Sequence, residues 1–165
     1  MPSMQLDKER LNLKRKNLER EIEKRTAFEE ALANWQYYNL VTEEGFWLAQ
    51  KGRDLEFAIK DLVSKKGWNT KLTSTTGDAG IDLICKKNEV QILVQAKGHS
   101  KPLGVAAIRE AAGVKMAEKP DQMIVVCPKG FTKDSTEFAD KTGIKLINAS
   151  ILVQIANDQM DLSDQ

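Results

Sequence analysis

The sequence is short of the residues that build soft metal sites and nucleophilic triads, with one histidine and two cysteines in 165 residues. A single imidazole, with Cys85 and Cys127 far apart in the chain, lacks the close paired spacing of a zinc site. The same lone His99, with no nucleophile elbow near any serine, leaves no Ser-His-Asp set. Gly77, Gly80 and Gly98 are not followed by a Gly-Lys-Ser or Gly-Lys-Thr, which excludes a P-loop and ATP-driven motion through one. Charge of one sign is also lacking. Lys plus Arg number 25 against 24 Asp plus Glu, for a net charge of +1, so any nucleic-acid surface has to be a local patch. Long apolar runs are absent: the longest, such as residues 123–127, fall far short of the ~20 residues needed to cross a bilayer, so no membrane role is expected. The two cysteines lie on stretches that read as buried strands and no apolar leader precedes them. Reduced thiols in a cytoplasmic protein are therefore expected.

What is present suits one folded domain with an added helical element: 41% of residues are hydrophobic and 30% charged. Residues 1–30 carry eight Lys/Arg and seven Asp/Glu, no glycine, and proline only at position 2, as expected of a long exposed helix. Leu11, Leu18, Ile22 and Leu32 give it an intermittent apolar stripe, interrupted by Lys14 and Arg25 where a regular heptad wants apolar side chains. Three uses fit such a helix: packing on its own domain, forming a homodimer, or holding a partner subunit. Trp35, Tyr37, Tyr38, Phe46 and Trp47 then cluster at a join marked by Gly45 and Gly52. They suit either cementing the arm to a domain or stacking on bases. The expected organisation is a helical arm with an aromatic linker over 1–51, a main domain over 52–157 and a polar tail over 158–165.

Within the main domain, Leu55, Ala58, Ile59 and Leu62 predict a helix over 53–65, ended by Gly67. Strands are expected at 68–73 and 81–85, a hairpin turn at 86–88, and a two-faced strand where Val90, Ile92, Val94 and Ala96 alternate with Gln91, Leu93, Gln95 and Lys97. Further elements are a helix at 105–117, a strand at 123–127, a helix at 133–141, a strand at 145–147 and a helix at 151–157. That order gives an α/β fold with a mixed central sheet covered by helices.

Side chains two apart on a strand share a face, so Gln95 and Lys97 point the same way, and Asp82 belongs to the preceding strand across a turn. A carboxylate, an amide oxygen and an ammonium at one sheet edge suit metal-assisted phosphodiester hydrolysis. The carboxylate and amide supply hard oxygen for Mg²⁺, and the ammonium positions water and meets charge on phosphoryl oxygens. On pattern alone, a solvated strand face fits the same residues.

The segment Gly77-Asp78-Ala79-Gly80-Ile81-Asp82-Leu83, followed by Val94-Gln95-Ala96-Lys97, closely resembles the catalytic core of Mrr-type restriction endonucleases, a branch of the PD-(D/E)xK nuclease superfamily. Gly52-Arg53-Asp54-Leu55-Glu56-Phe57 matches the helix glutamate of that pattern. Gly104-Val105 with Ile108-Arg109-Glu110, then Gly130-Phe131-Thr132 and residues 143–147, follow in the expected order. The resemblance covers roughly residues 52 to 157. It implies a restriction-endonuclease-like fold and a DNA endonuclease acting in restriction, phage defence or DNA processing, with Mg²⁺ as cofactor and Mn²⁺ as its substitute. It further implies Asp82 as first metal ligand, Gln95 and the carbonyl of Ala96 completing the protein side, Lys97 orienting the nucleophilic water, and Glu56 assisting through a metal-bound water. The Gln-x-Lys form is the family's own, and it lowers the negative charge at the metal relative to Glu-x-Lys.

Around this core, Asp78 reads either as a structural carboxylate of a Gly-rich turn or as a further acid of the site contacting DNA or metal. His99 suits a phosphate contact or a surface hydrogen bond. Lys101, Arg109 and Lys115 either extend a positive rim for DNA or are simply solvated. A non-cleaving DNA-binding or assembly subunit with a nuclease-like fold is the alternative reading.

Overall fold

The computed structural model describes residues 2–74 and 80–164, which form two compact units, Met1–Asn39 and Leu40–Gln165. The first unit lies within helix α1 (Pro2–Val41). With no glycine to break it, α1 runs for 40 residues, laced by exposed i,i+4 pairs such as Arg15–Glu19 and Arg25–Glu29. Leu11, Leu18, Ile22 and Leu32 are all exposed along it, and Arg25 is tied to Glu29.

The second unit starts with α2 (Glu44–Ala49) and α3 (Gly52–Lys65). The five-stranded sheet follows: β1 (Asn69–Leu72), β2 (Leu83–Lys87), β3 (Val90–Ala96), β4 (Gln122–Val126) and β5 (Ile144–Ile147), in that spatial order. β1, β2 and β3 pair antiparallel, while β3, β4 and β5 pair parallel through α4 (Val105–Glu118) and α5 (Lys133–Thr142). Helix α6 (Ala149–Ala156) ends the run. The mixed sheet flanked by helices is the α/β architecture expected from the alternation of strand and helix periods.

Both sheet faces are covered, so Ile92–Gln95 of β3 and Met123–Val126 of β4 are buried without a break. Leu93, Met123, Val125 and Cys127 meet Ile108, Ala111 and Val114 of α4 and Ala139 of α5. Alternation sends Ile92, Val94, Ile124 and Val126 to the other face, where α3 packs along β1, β2 and β3 through its buried stripe Leu55, Ile59, Leu62 and Val63. Cys85 and Cys127 are buried free thiols, and burial pushes the Cys85 thiol up to about 12.

The boundary between the units falls at Asn39/Leu40 rather than after residue 51, and several element ends shift by one or two residues; two further details differ from the sequence expectation. Lys86 and Lys87 stay in β2, because the chain turns at Asn88-Glu89: Lys87 pairs with Val90, and Asn88 takes the left-handed conformation (φ 54°) that asparagine tolerates. Residues 158–164 are pinned to the sheet edge. Leu162 is buried, Lys66 pairs with Asp158 at 2.7 Å, the Trp68 indole donates to Asp161, and Lys145 donates to the Leu162 carbonyl.

Of the aromatic cluster, Trp47 is wholly buried and donates its indole N–H to the Val41 carbonyl at 2.8 Å, whereas Trp35 is exposed. Trp47→Ala should destabilise the second unit by about 3–5 kcal/mol, and Trp47→Phe by about 1–3 kcal/mol, because it strands a buried carbonyl. Urea unfolding of both variants checks the order; equal losses would show that the indole bond contributes nothing.

Candidate active site

The β2–β3 ladder determines which residues meet. Leu83 pairs with Val94, and the pairing continues past the strand end, where the Asp82 N–H donates to the Val94 carbonyl at 2.9 Å. Asp82 and Leu83 therefore both lie against Val94, as at a β-bulge. The Asp82 carboxylate turns back across the strand end and accepts the Ala96 backbone N–H at 2.7 Å. Beyond Ala96 the chain stays in the ladder for one more bond, Lys97 N–H to the Val126 carbonyl at 2.8 Å. Lys97 is thus carried by the sheet rather than by a loose loop.

Helix α3 is brought to this edge by a close backbone approach. A Cβ on Gly98 would stand 3.0 Å from Lys51 Cα and 3.1 Å from Gly52 N, so only glycine lets the end of β3 pass the start of α3. One turn into α3, Arg53 donates to the Glu56 carboxylate and to the Thr73 carbonyl, the latter at 3.1 Å. Thr73 in turn donates its N–H to the Asp82 carbonyl. Glu56, Arg53, Asp82 and Lys97 therefore form one electrostatic group.

Burial is the largest influence on both acids and pushes both pKa values up. For Asp82 it is partly offset by the Ala96 N–H, then by Lys97 and Arg53. For Glu56 the neighbouring Asp82 charge adds to burial, and the Arg53 hydrogen bond and charge oppose both.

Gln95 is fully buried, and neither Oε1 nor Nε2 has a hydrogen-bond partner. A buried, unpaired amide costs free energy, and here it lies one residue before Ala96, whose N–H holds the Asp82 carboxylate. A neutral amide oxygen and a carboxylate are both oxygen donors of the kind a hard divalent cation takes. No group of three or more His, Cys, Asp or Glu suited to a metal occurs among the described residues, so the acid content is low.

Of the outer residues, His99 and Lys101 are exposed. His99 lines a cleft of about 400 Å³ with Gln50, Lys51, Ser100 and Lys129, beside the start of α3. Arg109 is exposed on α4, its guanidinium 5.7 Å from the Phe138 ring centre. Lys115 is not at a DNA rim: its ammonium donates to the Thr142 and Gly143 carbonyls, closing the C-terminus of α5. Asp78 lies outside the described residues. A larger cavity of about 680 Å³, lined by Lys115, Asp121, Asp140 and Lys145, opens where β4 and β5 begin, and apart from Lys115 it contains none of the candidate residues. In parallel sheets chemistry gathers where strands end, which favours the Lys97 edge.

Residues 48–156 match the Mrr_cat restriction endonuclease family model. The chain belongs to that family. The Mrr_cat match spans the sheet, α3 to α6 and all the candidate residues, so the motif resemblance and the family agree. A solved structure of a protein of unknown function, AF1548, superposes on the Mrr_cat chain with a TM-score of 0.50 at 16% identity. The alignment covers 59% of this chain and 62% of that one, which shows a shared fold. No curated protein matches the chain.

Arg53, Lys51, Lys129 and Glu110 join the neighbourhood without having been singled out as site residues in the sequence. Arg53 could have been found, since it stands three residues before Glu56 on one expected helix; the other three become neighbours only on folding.

Asp82's raised pKa has a consequence for stability. The stabilisation from its neutral form is present below the unfolded value of about 3.9 and is lost as pH rises through the higher folded value. At pH 7 in EDTA, Asp82→Asn should therefore melt a few degrees above the parent, and the gap should close towards pH 3. Thermal unfolding across that range checks it; a lower melting temperature at pH 7 would show that the ionised carboxylate stabilises the fold.

Proposed function

We propose that this chain is a divalent-metal-dependent DNA endonuclease of the Mrr type, using Mg²⁺ with Mn²⁺ as a substitute. The observation that carries the reading is the Asp82 carboxylate held on the Ala96 N–H, between Gln95 and Lys97 in the chain, with the Lys97, Arg53 and Glu56 charges around it. Family membership supplies the reaction class, hydrolysis of a nucleic-acid backbone.

In this reading Asp82, Gln95 Oε1 and the Ala96 carbonyl hold the cation. A bound Mg²⁺ would polarise the phosphoryl group and make water a better nucleophile at neutral pH. The protein's own work is positioning. The Ala96 N–H fixes one Asp82 oxygen and leaves the other free to bind. Lys97, carried at the end of the β3–β4 ladder, places an ammonium where charge builds on the phosphoryl oxygens and holds the attacking water. Glu56, oriented by Arg53, accepts a hydrogen bond from water on the α3 side. His99 and Lys101, with Lys51 and Lys129 of the adjoining cleft, supply a local positive rim for backbone phosphates.

A cleavage assay with Mg²⁺ and Mn²⁺ on linear, supercoiled, methylated, single-stranded and branched DNA tests the reading. Cleavage should appear with metal and disappear with EDTA, and fall about 10³-fold or more in Asp82→Ala and Lys97→Ala. Folded protein that binds DNA without cutting any of these substrates would instead make the chain a binding or assembly subunit.

The exposed stripe of α1 supports association of two copies through that helix. The full chain should run at twice its 18.5 kDa mass in light scattering, and Leu11→Glu with Leu18→Glu should return it to a monomer. A monomeric parent would remove homodimerisation.

A further inference from the structure

The buried amide of Gln95 has a neighbour that the nuclease motif does not include. Gly80, with φ +79°, lies directly under it: a Cβ there would be 2.5 Å from Gln95 Nε2 and 3.1 Å from Glu110 Oε1. The two polar groups thus converge over one Cα, from β3 on one side and α4 on the other. The Gln95 side chain is fully buried and its amide has no hydrogen-bond partner among the described residues, while Glu110 is exposed.

An amide presents an acceptor at one end and two donors at the other, and a carboxylate only accepts. A carboxylate beside a glutamine therefore selects the NH₂ end and sends the carbonyl oxygen the opposite way. We propose that Glu110 is a positioning residue that accepts a hydrogen bond from Gln95 Nε2 and so turns Gln95 Oε1 towards the Asp82 side of the site. The proposal deepens the nuclease reading, resting on Gln95 Oε1 as a metal-facing oxygen. It also explains why glutamine suits position 95 here: a glutamate would set a second carboxylate against Glu110, and like charges at this range oppose each other. Partners behind a metal ligand orient it in this way, and their loss costs about 10–100-fold in metal affinity.

Three full-length variants test it, with two readouts. The first needs neither metal nor activity: the Gln95 side-chain NH₂ signal in a ¹⁵N-labelled sample, assigned by its absence in Gln95→Glu. In Glu110→Ala that signal should shift and exchange faster with solvent, whereas in Glu110→Gln, which keeps an acceptor oxygen, it should stay near its parental position. The second readout is Mn²⁺ affinity by electron paramagnetic resonance. It should weaken about tenfold in Glu110→Ala and be largely restored in Glu110→Gln. A Gln95 signal indifferent to Glu110→Ala would overturn the proposal. So would a Glu110→Gln as impaired as Glu110→Ala, since the carboxylate's charge would then be acting rather than its acceptor. Because Glu110 is exposed, neither substitution threatens the fold. If the parent binds no Mn²⁺ and cuts no DNA, the nuclease reading falls, while the amide signal still decides whether Glu110 holds Gln95.

Discussion

The register of β2 against β3 is the constraint on which the site depends. Asp82 sits just before β2 and Ala96 at the end of β3, and the carboxylate reaches the Ala96 N–H only because Leu83 pairs with Val94. A slip of one residue would turn Gln95 and Lys97 to the opposite face and pair Asp82 with a different neighbour. That register is fixed at the other end of the hairpin by the Asn88-Glu89 turn and along its length by two buried faces that cannot exchange. Ala96 N–H then adds a bond that is both structural and chemical, since it ties the strand end to the carboxylate and leaves one carboxylate oxygen unspent. Glycine at 98 extends the same logic outward, letting α3 come close enough for Arg53 and Glu56 to join.

Much of this was legible from residue order, for reasons that can be named. The alternation over 90–97 marks a strand and its two faces, and it rests on local periodicity, which survives folding unchanged. Asp82, Gln95 and Lys97 are named by resemblance to the family motif, which periodicity alone does not supply. The boundary of the hairpin was less legible: Lys86 and Lys87 look like turn residues by charge, but the left-handed position falls to Asn88, and the two lysines remain paired. Lys115 shows the limit of reading charge. Its distance in sequence from residue 142 hides the carbonyls that occupy it, so a lysine that suits a DNA rim on composition is a helix cap in the fold. Lys129 and Glu110 fail to stand out for the same reason in reverse, since their neighbours at the site lie tens of residues away or on another element. The C-terminal residues look like a polar tail until Leu162 is seen to be buried, a single apolar side chain among polar ones.

The charge balance around Asp82 differs from that of the chain as a whole. Asp82 and Glu56 are both held at the expense of ionisation, with burial outweighing the cations beside them. Arg53 and Lys97 offset this locally, so the positive charge that matters lies within one edge of the sheet rather than in the net count of +1. A further buried carboxylate at position 95 would add to a group that is already disfavoured, and would do so next to Glu110. A neutral amide adds oxygen without that cost, yet it brings an ambiguity a carboxylate does not have, because its two ends are nearly the same shape and opposite in hydrogen-bonding character. An amide at such a position needs a neighbour that tells the ends apart. The substitution that relieves the electrostatics of the site therefore creates a requirement for a second residue, and Glu110 on α4 stands where that requirement arises.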